Sequence, residues 1–228
     1  MPIAMTQEQH ALQASLRDWA KRAAPLTAVR AAEPAGTAAP AHLTELAALG
    51  VFAIPLEGGT VTDLAAALEQ LAGALAPGPV LPTALAALLL ARHTQPAPGL
   101  LDAIAEARTT ACVALAPGEL AGARRPDGAL TVTGETGPLL WAPGHLLAPA
   151  RTEAGDAWFL LDQEQPGVTV ARLPPLDFSR ELAAVRLDDV TIPPQHLLTG
   201  LDTERVRDLA ATLYAAEASG GIDRKSVV

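Results

Sequence analysis

The chain changes its hydrophobic period near residue 109, and that switch constrains the fold more than any other feature. Up to about residue 108 the apolar side chains recur at three- and four-residue steps, which gathers them on one face of a helix. From Thr109 they alternate every second residue, which gathers them on one face of a strand. After Thr203 the helical step returns, with Val206, Leu209, Leu213 and Ala216 sharing a side. The order predicts an α+β protein: an all-helical domain over residues 1–108, an antiparallel β-sandwich or barrel over 109–200, and a further helix over 201–222.

Local signals place the elements. Thr6 with Gln9 makes a capping box, and Leu12, Leu16, Trp19 and Ala23 line one face until Pro25. Leu43, Leu46 and Leu49 predict a short helix closed by Gly50. Thr62 is the expected cap of a helix carrying Leu64, Leu68, Leu71 and Leu75 and ending at Pro77-Gly78. Pro82 opens an apolar helix through Leu90, and "GLLDAIAEA" predicts one more. In "DGALTVTG", Leu130 and Val132 face one way and Thr131 and Thr133 the other, after the tight-turn pair Asp127-Gly128.

Half of the residues are apolar, ample for a core. Only 18% are charged and the net charge is -9, which argues against a nucleic-acid partner, since phosphate backbones need clustered Lys and Arg. The 3% aromatic content argues equally against base-stacking platforms. The N-terminal sequence lacks the plan of a signal peptide, and the apolar run from Ala84 to Ala91 is too short to span a bilayer. A soluble, cytoplasmic protein with no membrane span is expected.

Familiar catalytic and metal-binding signatures are missing. The histidines at 10, 42, 93, 145 and 196 lie at no ligand spacing, so no metal site is expected. Cys112, the only cysteine, sits in the apolar strand "ACVALA" and is expected to be a buried small side chain. Asp188 and Asp189 are adjacent on a strand and should point to opposite faces.

The stretch "LPPLDFSRELAAVRLDDVTIPPQHLLTG" resembles the end of the middle domain of acyl-CoA dehydrogenases. The matching places are Asp177, Arg180, Val185, Leu187, Asp189, Val190, Pro193, Leu197, Leu198 and Gly200. Upstream, "LTELAALGVFAIPLEGG" and "LAAALEQLAGALAPGPVLPTALAALLL" are similar to helices of that family's N-terminal domain, most like actinobacterial members. The resemblance covers residues 6 to 222 and implies the family's helical–β–helical fold, in which residues 201–222 start a C-terminal helical bundle. It further implies FAD as cofactor, an acyl-CoA substrate (a fatty or a steroid side chain), electron-transferring flavoprotein as acceptor, and a homo- or hetero-tetramer.

In the family, two segments of the middle domain cradle the flavin. The first corresponds to "VALAPGELAG", where Pro117 and Gly118 match and Leu115 and Ala116 stand where Thr and Glu are common. The second corresponds to "VTGETGPLLWAPG", where Pro138 and Leu140 occupy the Trp and Thr places and Trp141 lies one residue further. The resemblance thus assigns Leu115, Ala116, Gly118, Pro138 and Leu140 to the flavin, with backbone amides replacing the usual side-chain donors. It assigns no catalytic residue here, because in most members the glutamate base comes from the C-terminal bundle.

The tail carries one more expectation. Asp-Arg-Lys-Ser-Val-Val at 223–228 is also what a common sequencing-library adapter encodes in one frame, so these residues are expected to be a non-native tail on an incomplete gene. An unsupported helix of this kind should leave Leu209 and Leu213 exposed. Two other readings stay open: a non-catalytic partner subunit of a heteromeric dehydrogenase, and a stand-alone binding module.

Overall fold

In the computed structural model, residues 5–36, 42–92, 99–116 and 118–223 are described. Seven α-helices and seven strands follow in the predicted order among them: α1 (Gln7–Ala23), α2 (Pro25–Ala32), α3 (Leu43–Ala48), α4 (Val61–Gly73), α5 (Val80–Leu90), α6 (Leu100–Ala105), β1 (Ala111–Val113), β2 (Ala121–Arg124), β3 (Leu130–Glu135), β4 (His145–Thr152), β5 (Gly155–Asp162), β6 (Val168–Leu173), β7 (Leu182–Ile192) and α7 (Thr203–Asp223).

Helix starts follow hydrogen-bond chemistry. Thr6 and Gln9 cap each other at α1 as expected. At α4 the cap is Thr60 rather than Thr62, because Asp63 sits three residues on and returns a bond to the Thr60 backbone N–H at 2.7 Å. That helix stops at Gly73, so Leu75 lies beyond it, with φ of 53° and exposed, instead of on its apolar side. Helix α5 is apolar on every side and buried along its whole length, as a helix of that composition must be. Thr83 on α5 donates to the Ala111 carbonyl at 3.3 Å, which ties the central helix to the first strand.

The strands form one curled sheet. β3, β7 and β6 pair antiparallel, as do β2–β3 and β4–β5, while β1 and β2 both run parallel to β4. Since β5 occupies one edge of β4 throughout, β1 and β2 share the other. The parallel pairs arise because the β2–β3 hairpin intervenes before the chain returns as β4. Strand β5 reads as a continuous apolar run because both of its faces are covered. Trp158 and Leu160 pack into the helical core, while Phe159 and Leu161 pack into the β core. Leu130 and Val132 are fully buried, as the alternation predicts. Asp188 and Asp189, by contrast, are both exposed: a register shift opposite Val132 and Gly134 puts Asp189 at φ of 48°, and a bulged strand no longer alternates.

Helix α7 is supported, contrary to the expectation of an exposed face. Val206, Ala210 and Leu213 join the helical core and Leu209 is half-buried. The partner surface is chiefly α4, and the approach is close: a Cβ on Gly220 would lie 1.9 Å from the Glu69 carbonyl oxygen. Glu69 accepts from Ser219 on α7 at 3.2 Å and from Gln13 on α1 at 3.3 Å, so one carboxylate joins three helices. The predicted tail at 223–228 lies outside the described residues apart from Asp223, which ends α7.

Candidate functional site

Two glycines lace the loop after β1 to the end of β3. A side chain at Gly118 would meet the Gly137 nitrogen at 2.7 Å and the Glu135 carbonyl at 2.8 Å. One at Gly134, where φ is 125°, would meet the Glu119 carbonyl at 1.8 Å. The contact is sealed by the Glu119 N–H donating to the Glu135 carbonyl at 2.8 Å. The second segment is held in turn by β7, through paired backbone bonds between Leu139 and Ala183 at 2.7 and 3.0 Å. Thr136 is fixed the same way, its backbone donating to Val185 and its hydroxyl accepting from the Val185 N–H at 3.0 Å.

These contacts bring the two segments to a single cavity of about 310 Å³, lined by Leu115, Ala116, Pro138 and Leu140. Leu139, Val113 and Cys112 complete the sheet side, and Pro82 of α5 and Tyr214 of α7 close it from the helices. Four of the five residues assigned from sequence therefore share one cavity. Gly118 instead lies in an adjoining cleft of about 320 Å³, which also includes Leu115 and Ala116. Pro117 falls outside the described residues. Trp141 does not line the cavity; its ring is buried beside Cys112, and its carbonyl accepts from the Cys112 thiol at 3.5 Å.

The cavity is electrically quiet. Burial pushes the Cys112 thiol far up from its ordinary value, and the Glu181 carboxylate reinforces this. Burial likewise raises the Tyr214 phenol to about 12, helped by Glu217 and opposed by Arg180. Both groups are neutral at physiological pH, so the walls neither accept nor release a proton there. Such a surface holds a ligand and excludes water. The adjoining cleft is different, being lined by Arg151 and Arg207 as well as by Glu119 and Asp156. At its rim Trp158 donates to the Thr203 hydroxyl at 3.0 Å, which donates to Asp156 at 2.8 Å and anchors the start of α7.

Sequence reasoning missed Pro82, Tyr214, Arg151 and Arg207. Pro82 and Tyr214 come from helices far from the β segments in sequence, and no local spacing marks them. The flavin implied by the resemblance would meet apolar side chains at 115, 138 and 140, and the close loop contact at Gly118 leaves main chain rather than a side chain there.

No protein-family model matches the chain. The acyl-CoA dehydrogenase FadE34 of Mycobacterium tuberculosis is 35% identical over 236 residues, which span 96% of this chain and 31% of that protein. The chain thus spans about a third of the curated relative's length. Among solved structures, a variant of the Tcur3481-Tcur3483 steroid ACAD superposes with a TM-score of 0.81 at 26% identity, over 94% of this chain and 64% of the other. Butyryl-CoA dehydrogenase from Megasphaera elsdenii shares the fold with a TM-score of 0.81 at 18% identity, over 96% and 67%. Taken with the helical layer, the curled sheet and the two converging loops, these likenesses agree on one conclusion: the chain belongs to the acyl-CoA dehydrogenase family.

Proposed function

We propose that the chain forms the N-terminal and middle parts of a FAD-dependent acyl-CoA dehydrogenase, which oxidises the bond between the α and β carbons of an acyl-CoA thioester. The observation that carries this reading is the meeting of residues 115–116 with 138–140 on one neutral, largely apolar cavity. FAD supplies hydride-accepting chemistry when bound. The chain's own residues do the holding: Leu115, Pro138 and Leu140 cover the ring system, and backbone amides of the same loops meet its polar edge. Pro82, Val113 and Leu139 keep water from the reacting carbons. Arg151 and Arg207 in the adjoining cleft offer positive charge to the phosphates of the CoA moiety, with Leu115 and Ala116 common to both spaces.

The proton-abstracting base belongs, on this reading, to the part of the fold that the relatives contain and this chain does not span. The assembled enzyme is a cytoplasmic homo- or hetero-tetramer that passes electrons to an electron-transferring flavoprotein. Acyl chains of fatty or steroid type both suit the cavity's apolar lining. A second reading is favoured by the absence of hydroxyl or indole donors at 115, 116, 138 and 140. On it the chain is a non-catalytic partner whose working flavin site lies on a paralogous subunit.

Flavin content decides between them. The protein is expressed alone and with a neighbouring dehydrogenase chain, and bound flavin is read from its visible absorbance. Flavin retained by the protein expressed alone supports the first reading. Flavin bound only in the co-expressed complex supports the second, and a colourless product in both refutes each.

A further inference from the structure

The cavity has one polar feature that the flavin segments do not account for. Tyr214, the only tyrosine of the chain, reaches its wall from α7. The phenol hydroxyl makes no hydrogen bond to a described residue and is not among the fully buried side-chain atoms left without a partner, so it keeps accessible surface on a residue that lines the cavity. Cys112, the other polar side chain of the wall, already donates to the Trp141 carbonyl. Among the described side chains of this wall, Tyr214 is thus the polar one without a partner.

The surroundings fix that donor in place. One helical turn further on, Glu217 accepts from Arg180 of the β6–β7 loop, and the pair is mostly buried, at 18% and 19% side-chain exposure. The same loop is pinned to the α4–α5 turn by the Gly78 N–H donating to the Ser179 carbonyl at 3.0 Å. It is also pinned from within by Asp177, which accepts from the Ser179 amide and hydroxyl at 2.8 and 2.7 Å. Arg180 Nη1 is buried without an acceptor among the described residues. Arg180 and Glu217 sum to zero charge. Among the described residues the cavity wall itself carries no charged side chain, so a neutral oxygen is accommodated, whereas a carboxylate would lose its hydration there with no counter-charge.

We propose that Tyr214 is a ligand-binding residue whose hydroxyl donates a hydrogen bond to a neutral acceptor oxygen on the molecule held in this cavity, with the Arg180–Glu217 pair fixing the helix that carries it. The inference rests on the flavoprotein reading given above, and two sources share the required chemistry: a ring carbonyl of the flavin, and a keto oxygen on the acyl chain. A buried hydroxyl with no acceptor loses its hydration without return, so a ligand lacking that oxygen binds less well.

Tyr214→Phe removes only the hydroxyl and keeps the ring, so the variant retains the packing. The full chain and the variant are titrated with FAD, then with two acyl-CoA thioesters of equal length, one plain and one carrying a keto oxygen. A loss of about tenfold or more in FAD affinity assigns the bond to the flavin. Unchanged FAD affinity with a loss of about tenfold in preference for the keto thioester assigns it to the acyl chain. The phenolate absorbance of this single tyrosine gives an independent readout, since its ionisation moves to higher pH when the accepting ligand is bound. Binding identical in both proteins overturns the proposal and leaves the flavoprotein reading standing. Wild-type protein that binds neither FAD nor thioester overturns both.

Discussion

Leu213 is the position at which the docking of α7 can be measured. Its side chain is wholly buried in the helical core against α4 and α5, whereas Leu209, four residues earlier, is only half-buried. Leu213→Ala removes three buried carbons and leaves a cavity in the helical core, at a cost of about 2–5 kcal/mol. Leu209→Ala removes the same atoms from a site where solvent already reaches, and costs roughly half as much or less. For a chain of this size each kcal/mol lowers the unfolding midpoint by roughly 2–4 °C, so Leu213→Ala should lower it by about 4–20 °C. Far-ultraviolet circular dichroism with heat and urea reads both variants, at two protein concentrations to separate unfolding from association. A Leu213→Ala midpoint within about 2 °C of the wild type would refute the docking, since a frayed helix loses nothing on truncation.

Three further outcomes follow from named contacts. Gly220→Ala forces a methyl toward the Glu69 carbonyl, which is backbone and cannot yield, so it should destabilise the chain by about 1–3 kcal/mol in the same urea assay. Thr60→Ala removes the acceptor for the Asp63 amide and should cost about 1 kcal/mol, while Thr62→Ala should cost almost nothing. His145 gives a pH dependence: burial, partly offset by Asp162, holds its imidazole below the ordinary 6.5 in the folded state. The unfolded chain therefore binds the proton more readily, so this stability is present above pH 6.5 and lost as pH falls through the folded-state value. His145→Gln should flatten that part of the stability profile, as measured by urea unfolding across the acid range.

Much of the fold was legible in the sequence because it depends on near neighbours. The Thr6–Gln9 box, the buried alternation of Leu130 and Val132 and the switch of period at Thr109 each need only a few residues to be recognised. The misplaced cap at α4 is instructive: threonine stands at both 60 and 62, and only the carboxylate three residues past the cap distinguishes them. The support beneath α7 was invisible for a different reason. Leu213 meets α4 across well over a hundred residues of chain, and an apolar stripe does not say which surface covers it. The same limit governs the site. Family resemblance directed attention to 115–118 and 138–140, yet Tyr214 and Pro82 enter only when helices close the cavity from the opposite side.

Hydrogen–deuterium exchange with and without FAD tests the central claim most directly, because it reports where the cofactor sits rather than whether it binds. The account predicts that saturating FAD slows exchange in residues 113–119 and 136–141 together, with a smaller effect around Tyr214 in α7. Protection confined to other parts of the sheet or helices, or no protection in either loop at saturation, would contradict it.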